Sequence, residues 1–130
     1  DVYKRQLLAQ NNMTEFAYGA LGLNAVFGTP LSPLLTDVPR VAGGSTSGGA
    51  LAVAKGMVSI ALGSDTSGSA RIPAAFCGVA GFKPSKGRYD DGGMMLLSPA
   101  GRRPPAAMRA PARHPRGQRA FRPAPATRRG

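Results

Sequence analysis

The chain has 130 residues, 42% hydrophobic and 6% aromatic, which suffices for one domain of ordinary size but not for several. A single cysteine rules out an intramolecular disulfide and a cysteine-based metal site, and the single histidine, His114, stands in a stretch without core-forming residues, which leaves a histidine-based triad without support. The net charge of +11 is unevenly placed: residues 1–100 carry eight Lys/Arg against six Asp/Glu, whereas 101–130 carry nine Arg and no acid, so the basicity belongs almost wholly to the tail.

Residues 1–6, DVYKRQ, have no apolar periodicity and read as adapter-derived, outside the fold. Leu7 to Asn24 reads as a short helix with loops, in which Thr14 either caps the helix or sits in a surface turn. Gly28 to Gly44 contains Pro30, Pro33 and Pro39; each removes a backbone donor and disfavours helix before it, so a long loop is expected, of the kind that is functional or covers something. Ser47 to Met57, SGGALAVAKGM, predicts a buried helix with small residues wherever a neighbour must come close. Val58 to Leu62, VSIAL, predicts a strand buried on both faces. A turn over Gly63 to Ser69, one or two helical turns over Ala70 to Cys77 and a strand over Val79 to Phe82 complete an α/β pattern.

From about Ser98 the composition changes: Arg, Ala, Pro and Gly supply 25 of the last 30 residues. Met108 and Phe121 are the only large apolar side chains there, so burial cannot offset an ordering cost of roughly 1 to 2 kcal/mol per residue, and disorder is expected. A basic nucleic-acid-binding appendage is the functional alternative for this tail, although it lacks interleaved aromatics. No run of about 18 apolar residues is present, nor the basic-then-apolar order of a signal peptide, so no membrane partner and a cytoplasmic location are expected.

Two serine clusters carry the chemistry. Asp65-Thr-Ser-Gly-Ser69 follows a predicted strand and precedes a predicted helical turn, where a serine hydroxyl lies near unpaired backbone N–H groups able to stabilise the oxyanion of a tetrahedral intermediate. On spacing alone an ordinary capped turn fits these five residues at least as well. Gly43-Gly-Ser-Thr-Ser-Gly-Gly49 contains G-x-x-x-x-G but has no lysine after it, which removes a phosphate-binding loop. Arg71 is expected to pair with Asp65 rather than to touch substrate, and Cys77, with no histidine to generate a thiolate, to be a small buried hydrophobe.

Asn12 to Ala17, NMTEFA, the glycine-serine cluster 43–49, the run Asp65-Thr-Ser-Gly-Ser-Ala-Arg-Ile-Pro-Ala-Ala-Phe-Cys-Gly78 and Lys83-Pro-Ser-Lys-Gly-Arg88 together resemble the amidase signature family of amide-bond hydrolases. The resemblance implies a portion, residues 7–98, of an α/β/α layered fold with a large mixed sheet, acting on a small-molecule amide without metal or organic cofactor. It implies Ser69 as the acyl-enzyme nucleophile, Ser45, 24 residues earlier, as the relay serine after a cis Gly-Ser bond, and the backbone amides of Thr66, Ser67, Gly68 and Ser69 as the oxyanion cradle. Ser67 stands where the family usually has glycine, which would strain the loop if that position needed a positive φ. The family's catalytic lysine lies upstream of NMTEFA, and none of Lys4, Lys55, Lys83 or Lys86 matches it, so this chain by itself is expected to be inactive. The glutaminase-type component of a tRNA-dependent amidotransferase is the alternative within the family. Because the resemblance stops near Ser98-Pro99, residues 99–130 are expected to be the product of a frameshift rather than a genuine tail.

Overall fold

The computed structural model describes residues 6–34, 37–90, 96–98, 101–102 and 105–109. Of residues 1–6, read as adapter, 1–5 lie outside these residues, as does the tail from 110 to 130 with the nucleic-acid reading attached to it. In chain order the elements are a 3-10 turn over Glu15–Ala17, helix α1 (Ser47–Ala54), strand β1 (Ile60–Ser64), helix α2 (Arg71–Cys77), and strands β2 (Ala80–Phe82), β3 (Leu96–Ser98), β4 (Gly101–Arg102) and β5 (Pro105–Arg109).

Helix α1 forms where the sequence predicts it and stops three residues early, at Ala54 rather than Met57. Gly56 adopts φ 70°, and its N–H bonds to Val53 O while that of Met57 bonds to Ala52 O, which satisfies two terminal carbonyls in a left-handed cap. The small residues of the helix are used as anticipated. A Cβ on Gly48 would fall 2.6 Å from the Asn12 nitrogen, and one on Gly49 would fall 3.0 Å from Met108 Cε. Ser47, Gly49, Ala50, Ala52 and Val53 are buried. Helix α2 ends in the same way at Gly78, φ 69°, with Val79 N–H bonding to Ala74 O.

Strand β1 begins two residues later than VSIAL predicts, and it is not buried on both faces. Ala61 is 4% exposed, whereas Ile60 and Leu62 are 57% and 72% exposed. Among the described residues, helix packs on one face only, so alternate side chains point away from it and stay in solvent. The sheet has the order β1-β5-β2, with β5 antiparallel to both neighbours: Ala61 pairs with Met108 and Gly63 with Ala106 on one side, and Gly81 pairs with Met108 on the other. β3 and β4 form a separate antiparallel pair. The described sheets are therefore antiparallel rather than the mixed sheet expected.

The expectation that no core can be built beyond Ser98 is overturned at β5. Ala106 is 4% exposed and Met108 is fully buried, in a cluster with Ala42, Ala50, Val53, Ala61, Ala70, Ala74 and Cys77. The composition argument failed because it asked residues 99–130 to supply their own core. A strand flanked on both sides satisfies its backbone through its neighbours and needs only alternate side chains that fit an existing apolar face. The residues at 106 and 108 do so.

The proline-rich loop does cover something. Leu31 bridges to Val41, Ser32 N–H bonds to Arg40 O, and Ser32 Oγ donates to Phe76 O at 2.6 Å. Leu34 closes over Gly78, so the loop caps the C-terminal end of α2.

Met108→Ala should lower unfolding free energy by about 2–5 kcal/mol in urea titrations, the range for truncating a fully buried methionine. No change in the urea midpoint would return residues 105–109 to disordered tail.

Candidate active site

Three segments distant in sequence are stitched together by backbone hydrogen bonds. Thr14 N–H donates to Ser45 O at 2.9 Å, Gly44 N–H to Ala20 O at 2.7 Å, and Thr46 N–H to Ser69 O at 3.0 Å. NMTEFA and the two serine clusters thus meet in one place. Close approach is possible because Gly44 has no side chain: a Cβ there would lie 2.6 Å from Gly22 N and 2.8 Å from Gly19 O, backbone atoms that cannot give way. The Gly44–Ser45 peptide bond is cis.

Between these segments lies a cavity of about 300 Å³, lined by Ala17 to Ala20, Gly44, Ser64, Thr66, Ser67, Ser69 and Ile72. Ser69 is half-buried in that wall. Ser45 is fully buried, and its Oγ has no hydrogen-bond partner among the described residues. The two serines are brought together through the Thr46–Ser69 backbone bond, but their hydroxyls do not bond to each other. At the rim, Phe16 and Ala17 both have φ 54°, a left-handed conformation that side-chain-bearing residues adopt at a cost.

The loop carrying Ser69 is organised by Asp65. This side chain has no exposed surface. Its Oδ1 accepts from Gly68 N–H at 2.8 Å and Arg71 Nη2 at 2.9 Å, and its Oδ2 from Ala70 N–H, Arg71 N–H and Arg71 Nε at 3.2, 3.2 and 2.9 Å. Arg71 therefore pairs with Asp65 as anticipated. Burial alone pushes the Asp65 carboxyl up, but the Arg71 guanidinium and the Arg71 and Ala70 amides outweigh it and hold the pKa down to about 2.

Of the four amides expected in the cradle, Gly68 N–H is already engaged by Asp65 Oδ1, while no described residue accepts from the N–H of Thr66, Ser67 or Ser69. Gly68 needs to be glycine: its φ is 135°, and a Cβ would strike Ile72 Cδ1 at 2.7 Å. Ser67 does not have a positive φ, so serine in place of the family's usual glycine carries no strain.

Cys77 is buried and its thiol is pushed up to about 11 by desolvation, which makes it an inert packing residue. Lys55 and Lys86 are exposed. Lys83 has a place that sequence reasoning missed: its Nζ donates to Thr66 O at 2.9 Å and lies 3.9 Å from Asp65 Oδ1. The only available signal was its membership of the Lys83-to-Arg88 box.

The family model for amidases matches residues 6–104, three quarters of the chain. This chain belongs to the amidase family. Among amidase-family relatives, it is 50% identical over 89 residues to a mitochondrial glutamyl-tRNA(Gln) amidotransferase subunit of Eremothecium gossypii, covering 68% of this chain and 19% of that protein. It is 45% identical over 89 residues, with the same coverages, to the indoleacetamide hydrolase of Pseudomonas savastanoi. A solved amidase structure superposes with a TM-score of 0.66 at 44% identity, covering 78% of this chain and 22% of that one. The chain thus spans about a fifth of the length of the relatives it matches. Among the described residues, no helix is long and apolar enough to cross a membrane.

The Asp65 geometry has a consequence for acid stability. A carboxyl whose folded pKa lies near 2, below its ordinary 3.8, contributes stability that is complete above the ordinary value and is lost as pH falls from there through about 2. Urea midpoints should fall between about pH 4 and about pH 2, and Asp65→Asn should abolish that part of the pH dependence while lowering stability at neutral pH. An Asp65→Asn chain with an unchanged acid profile would contradict the assignment.

Proposed function

We propose that this segment is the nucleophile-bearing part of a larger, α/β/α layered amide hydrolase, in which Ser69 Oγ attacks the carbonyl carbon of a small-molecule amide to form an acyl-enzyme. The observation that carries this reading is the cavity wall itself, where the half-buried Ser69 stands beside Thr66 and Ser67, and the N–H groups of all three lack acceptors among the described residues. Preorganised backbone donors of this kind stabilise the oxyanion that develops as a carbonyl becomes tetrahedral, and each is worth about 2.7 to 4 kcal/mol.

An alkyl hydroxyl attacks only if a base takes its proton. Ser45 would pass that proton on, a role supported by its burial, its link to Ser69 through the Thr46–Ser69 backbone bond, and the lack of a competing hydrogen bond among the described residues. The base would be a lysine, with a pKa lowered by burial, from a part of the enzyme upstream of NMTEFA; none of the described lysines bonds to Ser45 Oγ. The proton would then return to the leaving nitrogen, which departs as an amine or ammonia, and water would release the acyl group from Ser69.

A second reading is favoured by the relationship to the amidotransferase subunit of Eremothecium gossypii. In it the same chemistry releases ammonia from glutamine for tRNA-dependent amidation.

The test is ammonia release from a panel of small primary amides and from glutamine. In a full-length amidase carrying this segment, Ser69→Ala should lower turnover by at least about a thousandfold, as loss of a serine nucleophile does. The 130-residue chain alone should show no turnover above background. Retained activity in the Ser69→Ala enzyme would sink the nucleophile assignment, turnover by the isolated chain would sink the external lysine, and a strong preference for glutamine would favour the second reading.

A further inference from the structure

Lys83 follows β2 directly and precedes the buried Pro84, so its backbone is anchored on both sides of its Cα. Its side chain is 28% exposed and spends its ammonium group on the nucleophile loop: 2.9 Å to Thr66 O and 3.9 Å to Asp65 Oδ1. Neither contact is needed to hold β2 in its sheet, whose strand pairing to β5 is made by Ala80, Gly81 and Phe82.

The contact with Thr66 O has a geometric effect on the next residue. The Thr66–Ser67 peptide is trans, and in a trans peptide the carbonyl and the following N–H point in opposite directions within one plane. A bond that draws the Thr66 carbonyl toward Lys83 therefore turns the Ser67 N–H away from Lys83. Thr66 and Ser67 both line the cavity, and no described residue accepts from that N–H. With the peptide turned over, a carbonyl oxygen would take the place of the donor and repel a developing oxyanion. The peptide unit that follows is fixed separately, by Asp65 Oδ1 on Gly68 N–H. Lys83 and Asp65 thus each set the orientation of one peptide unit before Ser69, and the near approach of Lys83 to Asp65 Oδ1 ties the two devices together.

We propose that Lys83 is a positioning residue that orients the Thr66–Ser67 peptide so that the Ser67 N–H faces the cavity as an oxyanion donor. This role rests on the acyl-Ser69 reading, but its geometric part can be tested without any turnover. In the 130-residue chain, NMR dipolar couplings report the direction of the Ser67 N–H vector, and the carbonyl carbon shift of Thr66 reports the bond from Lys83. Lys83→Met should change both while the couplings of Val53 and Met108 in the core stay as in the wild type, and Lys83→Arg, which keeps a donor, should retain the wild-type values. In a full-length amidase carrying this segment, Lys83→Met should lower kcat about a hundredfold to a thousandfold with KM little changed, as expected when a donor is lost only at the transition state.

An unchanged Ser67 vector in Lys83→Met would overturn the proposal, as would core couplings that change together with it, which would mark a general structural role. Should Lys83→Met fail to fold, the wild-type chain decides alone: a measured Ser67 N–H vector pointing out of the cavity refutes the assignment, and one pointing into it supports it. A failure of Ser69→Ala to abolish turnover would remove the acyl-serine reading while leaving these vector measurements interpretable.

Discussion

Asp65 has no exposed surface, and an ionised carboxylate in such a place is tolerated only if its lone pairs are met by donors and its charge by a cation. Three backbone amides and two guanidinium nitrogens do so. In doing so they convert a flexible serine- and glycine-containing sequence into a turn with a defined path, because the amides of residues 68, 70 and 71 must all point inward at one group. The start of α2, the level of Ser69 in the cavity wall and the exposed guanidinium of Arg71 all follow from that convergence. Among the described residues nothing comparable holds the other serine cluster, which is positioned from outside by Asn12, Thr14, Ala20 and Ser69.

The second constraint is proximity. The buried cluster is made mostly of alanines, with Val53 and Met108 its bulkiest members, and glycines at 22, 43, 44, 48, 49 and 63 stand where a Cβ would meet other atoms within 3.3 Å. At Gly22, Gly44 and Gly48 such packing brings backbone against backbone, and at Gly49 and Gly63 it lets neighbouring side chains lie directly on the backbone. It suits a site whose working parts are amide groups and short hydroxyl side chains, since backbone atoms can be placed only by placing the chain itself. The cost is a small apolar payload, and exposed Ile60, Leu62 and Phe82 on the outer face of the sheet show how much apolar surface the described residues leave uncovered.

Much of this was legible in the sequence because it depends on local chemistry. The helix after Ser47 declared itself through its small apolar residues, the short helix after Ala70 through its place between a turn and a strand, and the Asp65–Arg71 pair through a charge beside a loop that needed ordering. The loop over Gly28 to Gly44 was readable from its prolines. Three things were not readable. Exposure of β1 depends on what lies on the sheet's second face, which the VSIAL composition does not encode. Membership of β5 in the sheet depends on pairing partners more than 20 residues away, so a tail judged by its own composition looked unfoldable. The reach of Lys83 to Thr66 depends on β2 delivering it beside the loop, and a lysine in a polar stretch reads as solvated until that path is known.

The placement of β5 bears on how such a segment is made. β1 and β2 flank the same strand without pairing with each other, and that strand is the last of the described elements along the chain. During synthesis β1 and β2 are complete before β5 exists, so neither has its partner strand until residue 109 clears the ribosome. Over that interval both edges offer unpaired amides and carbonyls to any passing strand, the condition under which nascent chains recruit chaperones or cross-pair with their neighbours. The order in which this topology is threaded thus leaves its two flanking strands waiting on the last of the described elements.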